Sequence, residues 1–155
     1  MLELATKAPE FTLFDDTGKA VSLSGLLAHG PVVLMFYPSD GTPICTKAAC
    51  VVRDRFDSLA RAGVVVAGIS PRGSVSKAGF RKQHGLRHVL LADPWSKVAA
   101  MYEARGMFGL PIPLGTRRMT YVVDSHGMIA DRVHNELSVA AHEAVLDRAT
   151  KLVAM

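Results

Sequence analysis

The chain has 155 residues, 49% hydrophobic and 21% charged, with a net charge of +4. That composition excludes a disordered chain and predicts one globular, soluble domain over residues 1–155, long enough to bury roughly 70% of its unfolded surface. No apolar run approaches the ~20 residues of a membrane span, and MLELATKAPEF at the start lacks the basic patch and apolar stretch of a signal peptide. The Lys and Arg residues are scattered, with no dense basic run and no interleaved aromatics, so no nucleic-acid partner is expected.

In chain order, Phe11 to Phe14, the turn Asp15-Asp16-Thr17-Gly18 and Lys19 to Leu23 read as strand, turn and strand. Val32 to Tyr37 is a continuous apolar run, as in a strand buried on both faces. A helix follows from Thr42 to about Ala62, with Val52, Phe56, Leu59 and Ala60 on one side. Val64 to Ile69 is a second buried strand, Ser74 to His84 a second helix and Val89 to Leu91 a short strand. Pro94 to Tyr102 reads as a third helix with proline in its first turn, where Trp95 is expected to pack. Arg105 to Arg117, rich in glycine and proline, reads as a loop. A hairpin joins Met119–Val123 to Met128–Val133, and a last helix begins near Ser138 with Val145, Leu146, Ala149, Leu152 and Val153 as its apolar stripe. This order predicts an α/β, thioredoxin-like fold: a mixed central sheet, helices on both faces and an N-terminal β-hairpin.

The only two cysteines, Cys45 and Cys50, lie five positions apart in one helix. They are too few for a secreted disulfide scaffold. In a reducing compartment such as the cytoplasm, a lone close pair is catalytic, redox-active or metal-binding. Thr42 suits the N-cap and Pro43 the first helical position, which puts Cys45 in the first turn. Free N–H groups and the helix dipole favour a thiolate there, so Cys45 is placed as an exposed, activated nucleophile. Cys50 follows about 140° round the helix and ~7.5 Å along it. The Cα atoms of an intact helix would be ~8.7 Å apart, beyond the ~7 Å limit for a disulfide. If the two thiols bond, the first turns must unwind.

Other readings of the pair stay open. Cys50 alone also fits an apolar filler of its helix. His84 and His88 are four apart, but Gly85 spoils a helical pairing; no metal site and no cofactor are expected. A disulfide reductase would carry C-x-x-C, which this spacing is not.

Pro38-x-x-x-Thr42-x-x-Cys45 resembles the active-site signature of peroxiredoxins, and Cys45-x-x-x-x-Cys50 resembles their bacterioferritin-comigratory-protein or peroxiredoxin Q branch. Ala8-Pro9-Glu10-Phe11, Gly68-Ile69-Ser70-Pro71, Leu91-Ala92-Asp93-Pro94 and Arg118-Met119-Thr120-Tyr121-Val122-Val123-Asp124 extend the likeness over almost the whole chain. The resemblance implies a peroxidase acting on hydrogen peroxide and organic hydroperoxides. In it Cys45 attacks the peroxide and becomes a sulfenic acid, Thr42 aims its hydroxyl at the peroxide, Arg118 holds the thiolate and the charge developing on the departing oxygen, and Pro38 shields the nucleophile. Cys50 resolves the sulfenic acid to a disulfide, which thioredoxin or a similar dithiol reduces. A monomer or weak homodimer is expected.

Residue by residue, plainer roles remain. Thr42 is also an N-cap, Pro38 a strand end, and either Arg117 or Arg118 a solvated charge, since neighbours on a strand face opposite ways. His29, His126, His134 and His142 fall in loop or surface contexts and receive no role. Where the branch often has a glutamate three residues after the reactive cysteine, this chain has Ala48. That leaves any charge network around the site undetermined. A redox sensor and a thiol–disulfide oxidoreductase acting on proteins are the rival functions.

Overall fold

The computed structural model describes residues 1–106 and 115–153. Seven strands form one sheet: β1 (Thr12–Asp15), β2 (Ala20–Ser22), β3 (Val32–Phe36), β4 (Val65–Ser70), β5 (Val89–Ala92), β6 (Met119–Val123) and β7 (Ile129–His134). Their order is β2-β1-β5-β4-β3-β6-β7. The centre, β5-β4-β3, is parallel, while β1 pairs antiparallel with β5 and β6 antiparallel with β3. The expected mixed sheet is present.

Period-2 alternation divides the sheet's side chains between two cores. Val32, Leu34 and Phe36 of β3, Ala67 and Ile69 of β4, and Met119, Tyr121 and Val123 of β6 join one cluster. Val33, Val66 and Val122, on the alternate positions of the same strands, join the other. The first core is built round Phe36, Tyr102 and Tyr121, whose ring centroids lie 5.3 to 6.4 Å apart. The Tyr121 hydroxyl donates to the Tyr102 carbonyl at 2.6 Å, and the Tyr102 hydroxyl to the Pro9 carbonyl at 2.5 Å. Buried phenols thus keep their hydrogen bonds and also fasten the N-terminal segment. The second core packs under α2 (Pro43–Arg61) and α5 (Val139–Val153) through Val52, Leu59, Val145, Leu146 and Ala149. Arg55 of α2 clasps α5 through Glu143, at 2.6 Å, and Asp147.

Several sequence expectations are corrected. The strand expected over Lys19 to Leu23 is present as β2 but stops at Ser22: its hydroxyl accepts from the Gly25 N–H at 3.0 Å and caps a short helix, α1 (Leu23–Leu27), burying Leu23 and Leu26. Ala60 is exposed and Leu152 is 39% exposed, so both apolar stripes are narrower than expected. The helix expected from Pro94 is a 3₁₀ turn, Pro94–Ser96, followed by α4 (Lys97–Met101). Its break has a cause. The Asp93 carboxylate accepts from the Val98 and Ala99 N–H groups, both at 2.9 Å, so the chain must loop between them. Trp95 and Ser96 take positive φ of 62° and 53° to do so, and Trp95 emerges 79% exposed instead of packing. α3 (Ser74–His84) matches its expected bounds. Of the loop expected over Arg105 to Arg117, residues 107–114 lie outside the described residues, as does the side chain of Val153.

His88 lies buried just before β5, and burial drives its imidazole down to about 4, with repulsion from Arg81 adding to the shift. The unfolded chain therefore takes up a proton near the ordinary value of 6.5, which the folded chain refuses until about 4. The unfolded state binds more protons in that window, so stability falls as pH falls through it. His142, also lowered by burial, acts in the same direction. The unfolding free energy of His88→Leu should fall by about 3 kcal/mol less than that of the wild type between pH 7 and pH 4, as read from denaturant titrations at each pH. An unaltered pH slope would place the acid sensitivity elsewhere.

Candidate active site

The site forms where β3 ends and α2 begins. Tyr37 continues the ladder by donating its N–H to the Ile69 carbonyl at 3.0 Å, and the loop Pro38 to Gly41 then turns the chain. Gly41, at φ 86°, takes a conformation that side-chain-bearing residues rarely adopt. The loop is pinned from below by a buried charge. Lys77 of α3, fully buried, lies 3.3 Å from the Asp40 carboxylate and also meets the Ser70 hydroxyl. Asp40 accepts further from Tyr37 Oη at 2.5 Å and Ser76 Oγ at 2.8 Å. Burial lowers the Lys77 ammonium and Asp40 opposes that shift. Sequence patterning did not single out Lys77; its spacing of three from the buried Phe80 was the available signal.

Thr42 occupies the N-cap position of α2 (φ −71°, ψ 152°), with Pro43 at N1. Its hydroxyl makes no capping bond. Thr42 Oγ1 is buried with no hydrogen-bond partner among the described residues, so the N-cap reading holds for the backbone and not for the side chain. Cys45 is the third residue of the helix and is 3% exposed. It was expected to be exposed; packing of the first turn over the sheet covers it. An apolar cavity of ≈ 40 Å³ adjoins it beneath α2, lined among others by Ala48, Ala49, Val52, Phe80 and Leu90.

Arg118 comes to Cys45 from β6. The antiparallel register pairs Phe36 with Met119, so the residue before Met119 lies beside the start of the site loop. Alternation then separates the two arginines. Arg118 shares the face of Thr120 and Val122, which is the face under α2, and its Nη2 donates to Cys45 Sγ at 3.3 Å. Arg117 points to the other face, where it bonds the Glu103 carbonyl. Pro38 is half-buried in the loop. Cys50 is not brought to Cys45: it lies five residues along the same helix, half-buried, and both thiols are free.

Three polar residues near the site went unassigned in the sequence. His142 is 6% exposed, not a surface residue; its Nδ1 meets Thr120 Oγ1 at 2.6 Å and its Nε2 the Asn135 carbonyl at 2.8 Å. His134 Nε2 lies 3.0 Å from Glu136 Oε1, and Glu136 in turn contacts Arg118. His142 sits in the first turns of α5, His134 ends β7 and Glu136 lies in the turn between them, so no single periodicity links the three. His29 and His126 are exposed, as expected. Among the described residues no group of His, Cys, Asp and Glu is arranged to hold a metal ion, and no helix is long and apolar enough to cross a membrane.

A cysteine in the first turn of a helix on this sheet, faced by an arginine from the neighbouring antiparallel strand, accords with the likeness that places the structure among the thioredoxin-like peroxiredoxin folds. The chain belongs to the AhpC/TSA family, whose model matches residues 4–132. It is similar to peroxiredoxin Q, chloroplastic, of Oryza sativa subsp. japonica, with 41% identity over 138 residues, 87% of this chain. The chain spans 60% of the length of that rice relative. Peroxidoxin BcpB from Mycobacterium tuberculosis superposes with a TM-score of 0.89 at 33% identity, over 98% of both chains. The bacterioferritin comigratory protein of Xanthomonas campestris, 24% identical, shares the fold with a TM-score of 0.84 over 99% of this chain and 98% of its own.

The Lys77–Asp40 pair ties the site loop to the stability of the fold. Lys77→Met leaves a buried carboxylate without its cation, and urea denaturation should register a loss of about 3–5 kcal/mol. Adding Asp40→Leu should return part of that loss, because the uncompensated charge goes with it. Additive losses in the double variant would mean that the two groups are not coupled.

Proposed function

We propose that the protein is a thiol-dependent peroxidase that reduces hydrogen peroxide and organic hydroperoxides through Cys45. The observation that carries this reading is the 3.3 Å contact from Arg118 Nη2 to Cys45 Sγ at the start of a helix. Two further donors support it. Thr42 Oγ1 and Arg118 Nε are both buried with no partner among the described residues, which makes them available to a peroxide's oxygens.

In this mechanism the Cys45 thiolate attacks one peroxide oxygen in line and the O–O bond breaks. The electron pair leaves on the other oxygen, which departs as water or an alcohol after taking a proton. Arg118 stabilises the charge growing on that oxygen, and a fixed donor does this better than water because it needs no reorganisation. Thr42 orients the peroxide, and Pro38 helps to keep solvent from the thiolate. The Cys45 sulfenic acid then condenses with the Cys50 thiol, releasing water and forming a disulfide. Two electrons from thioredoxin or a similar dithiol restore both thiols. A reducing compartment such as the cytoplasm and a monomeric or weakly dimeric state suit this cycle.

One equivalent of peroxide should convert the reduced wild type to an intramolecular Cys45–Cys50 disulfide, seen by non-reducing peptide mapping. Cys45→Ser should lose peroxide consumption entirely. Cys50→Ser should consume about one equivalent per chain and stop at a trapped sulfenic acid. A fully active Cys45→Ser protein would sink the proposal, and purely intermolecular disulfides would remove the resolving role from Cys50.

Forming that disulfide requires the start of α2 to open. Val52, 1% exposed, and the bond from Arg53 Nη1 to the His84 carbonyl at 2.9 Å fix where opening should stop. Hydrogen exchange should therefore accelerate between Thr42 and Arg53 in the disulfide form, while β3 stays protected. Equal protection of that segment in the oxidised and reduced forms would show that the helix does not unwind.

A further inference from the structure

Arg118 is gripped on the side away from the thiol. Its Nη1 donates to the Glu136 carbonyl at 3.2 Å and to Glu136 Oε2 at 3.5 Å, and its backbone N–H donates to Glu136 Oε1 at 3.1 Å. Nη2 is thereby left to face Cys45. Glu136 belongs to the turn between β7 and α5, and that turn is itself anchored. The Asn135 N–H donates to the Arg118 carbonyl at 3.2 Å, and Asn135 Oδ1 accepts from the Leu137 and Ser138 N–H groups at 3.0 and 2.8 Å. His142 Nε2, facing the Asn135 carbonyl, carries the ring proton, so Nδ1 accepts from Thr120. His134 meets Glu136 Oε1 from β7.

We infer that Glu136 is a positioning residue for the chemistry at Cys45: its carboxylate fixes the plane of the Arg118 guanidinium so that Nη2 points at the sulfur. This rests on the proposed peroxidase function. Ala48, which also borders the site, has no charge with which to hold the arginine, and the carboxylate that does reach Arg118 comes from Glu136. Arg118 and Glu136 are only 17% and 23% exposed, so the pair is shielded and its geometry is enforced more strongly than in a surface ion pair. The same carboxylate partly cancels the field of Arg118 at the sulfur. Orientation and charge thus act in opposite directions, which separates positioning from simple structural support.

Two variants read the two effects in the whole protein. Glu136→Gln keeps one side-chain oxygen and the backbone carbonyl to hold Arg118 Nη1 but removes the negative charge. Its thiol-alkylation profile at Cys45, measured in a Cys50→Ser background, should shift to a lower pH midpoint than that background alone. Its rate with hydrogen peroxide should stay within about three-fold, because the guanidinium remains held. Glu136→Ala removes the carboxylate and leaves Nη1 only the backbone carbonyl of residue 136, so the guanidinium is held at one point and can turn. At a pH where the thiol is fully ionised in every variant, its peroxide rate should fall about ten-fold or more. A Glu136→Gln midpoint that is unmoved or raised overturns the inference, as does a Glu136→Ala rate equal to the background. If the background protein itself does not react with peroxide, the proposed function fails instead, and the alkylation midpoints still report whether the Glu136 charge reaches Cys45.

Discussion

The antiparallel pairing of β6 with β3 is the constraint on which the site depends. Met119 opposite Phe36 sets the register, and a one-residue slip would turn Arg118 to the far face and bring Arg117 round to the thiol's side. Both strands are buried on both faces, which holds the register firmly. Their even- and odd-numbered residues belong to separate cores, so a slip would drive Thr120 among the aromatic rings and Tyr121 against α2. The accuracy of a contact at 3.3 Å between a thiol and a guanidinium is thus inherited from hydrophobic packing on both sides of the sheet.

Around that contact the buried polar groups are arranged as two anchors, one for each partner. Lys77 and Asp40 secure the loop that leads to Cys45, and Asn135, Glu136 and His142 secure the strand end that bears Arg118. Each anchor reaches back to a different helix, α3 for the loop and α5 for the strand. Buried ion pairs contribute little net stability relative to apolar packing, but they hold their partners in one geometry. For the proposed chemistry geometry is the quantity that would matter, because donors already in place stabilise a developing charge better than ones that must reorganise.

The parts of the fold legible in the sequence were those with strong periodicity. Val32 to Phe36, Ser74 to His84 and the β6–β7 hairpin lie where hydrophobic patterning put them. The errors came from side chains that redirect the backbone locally. Ser22 nucleates α1 inside a stretch with strand-like residues, and Asp93 reaches forward five and six residues to cap α4, breaking the helix at Trp95. In the site, Cys45 and Arg118 were legible through the motif and the two-residue strand period. Glu136 and His142 were not, because their partners lie 18 and 22 residues away across a hairpin and a turn. No local spacing encodes such contacts. The burial of Cys45 was likewise invisible, since first-turn positions are usually open and here the sheet closes beneath them.

A buried thiol sets two demands that oppose each other. Shielding Cys45 strengthens its interaction with Arg118, because the local dielectric is low, yet a shielded thiol in an intact helix cannot meet Cys50. The distribution of contacts along α2 reconciles them. Its second half is fastened through Leu59 and the Arg55 clasp to α5. Its first half rests on Cys45 and Ala49 above an apolar cavity, and its N-cap lacks a side-chain bond. A cavity removes packing partners from the residues that border it, and an absent cap lowers the cost of fraying. Both features lower the cost of opening the turns that carry the two thiols. In the proposed cycle, oxidation would replace a Cys45 thiolate by a neutral group and so weaken its attraction to the helix N-terminus and Arg118 at the step where that cycle calls for opening.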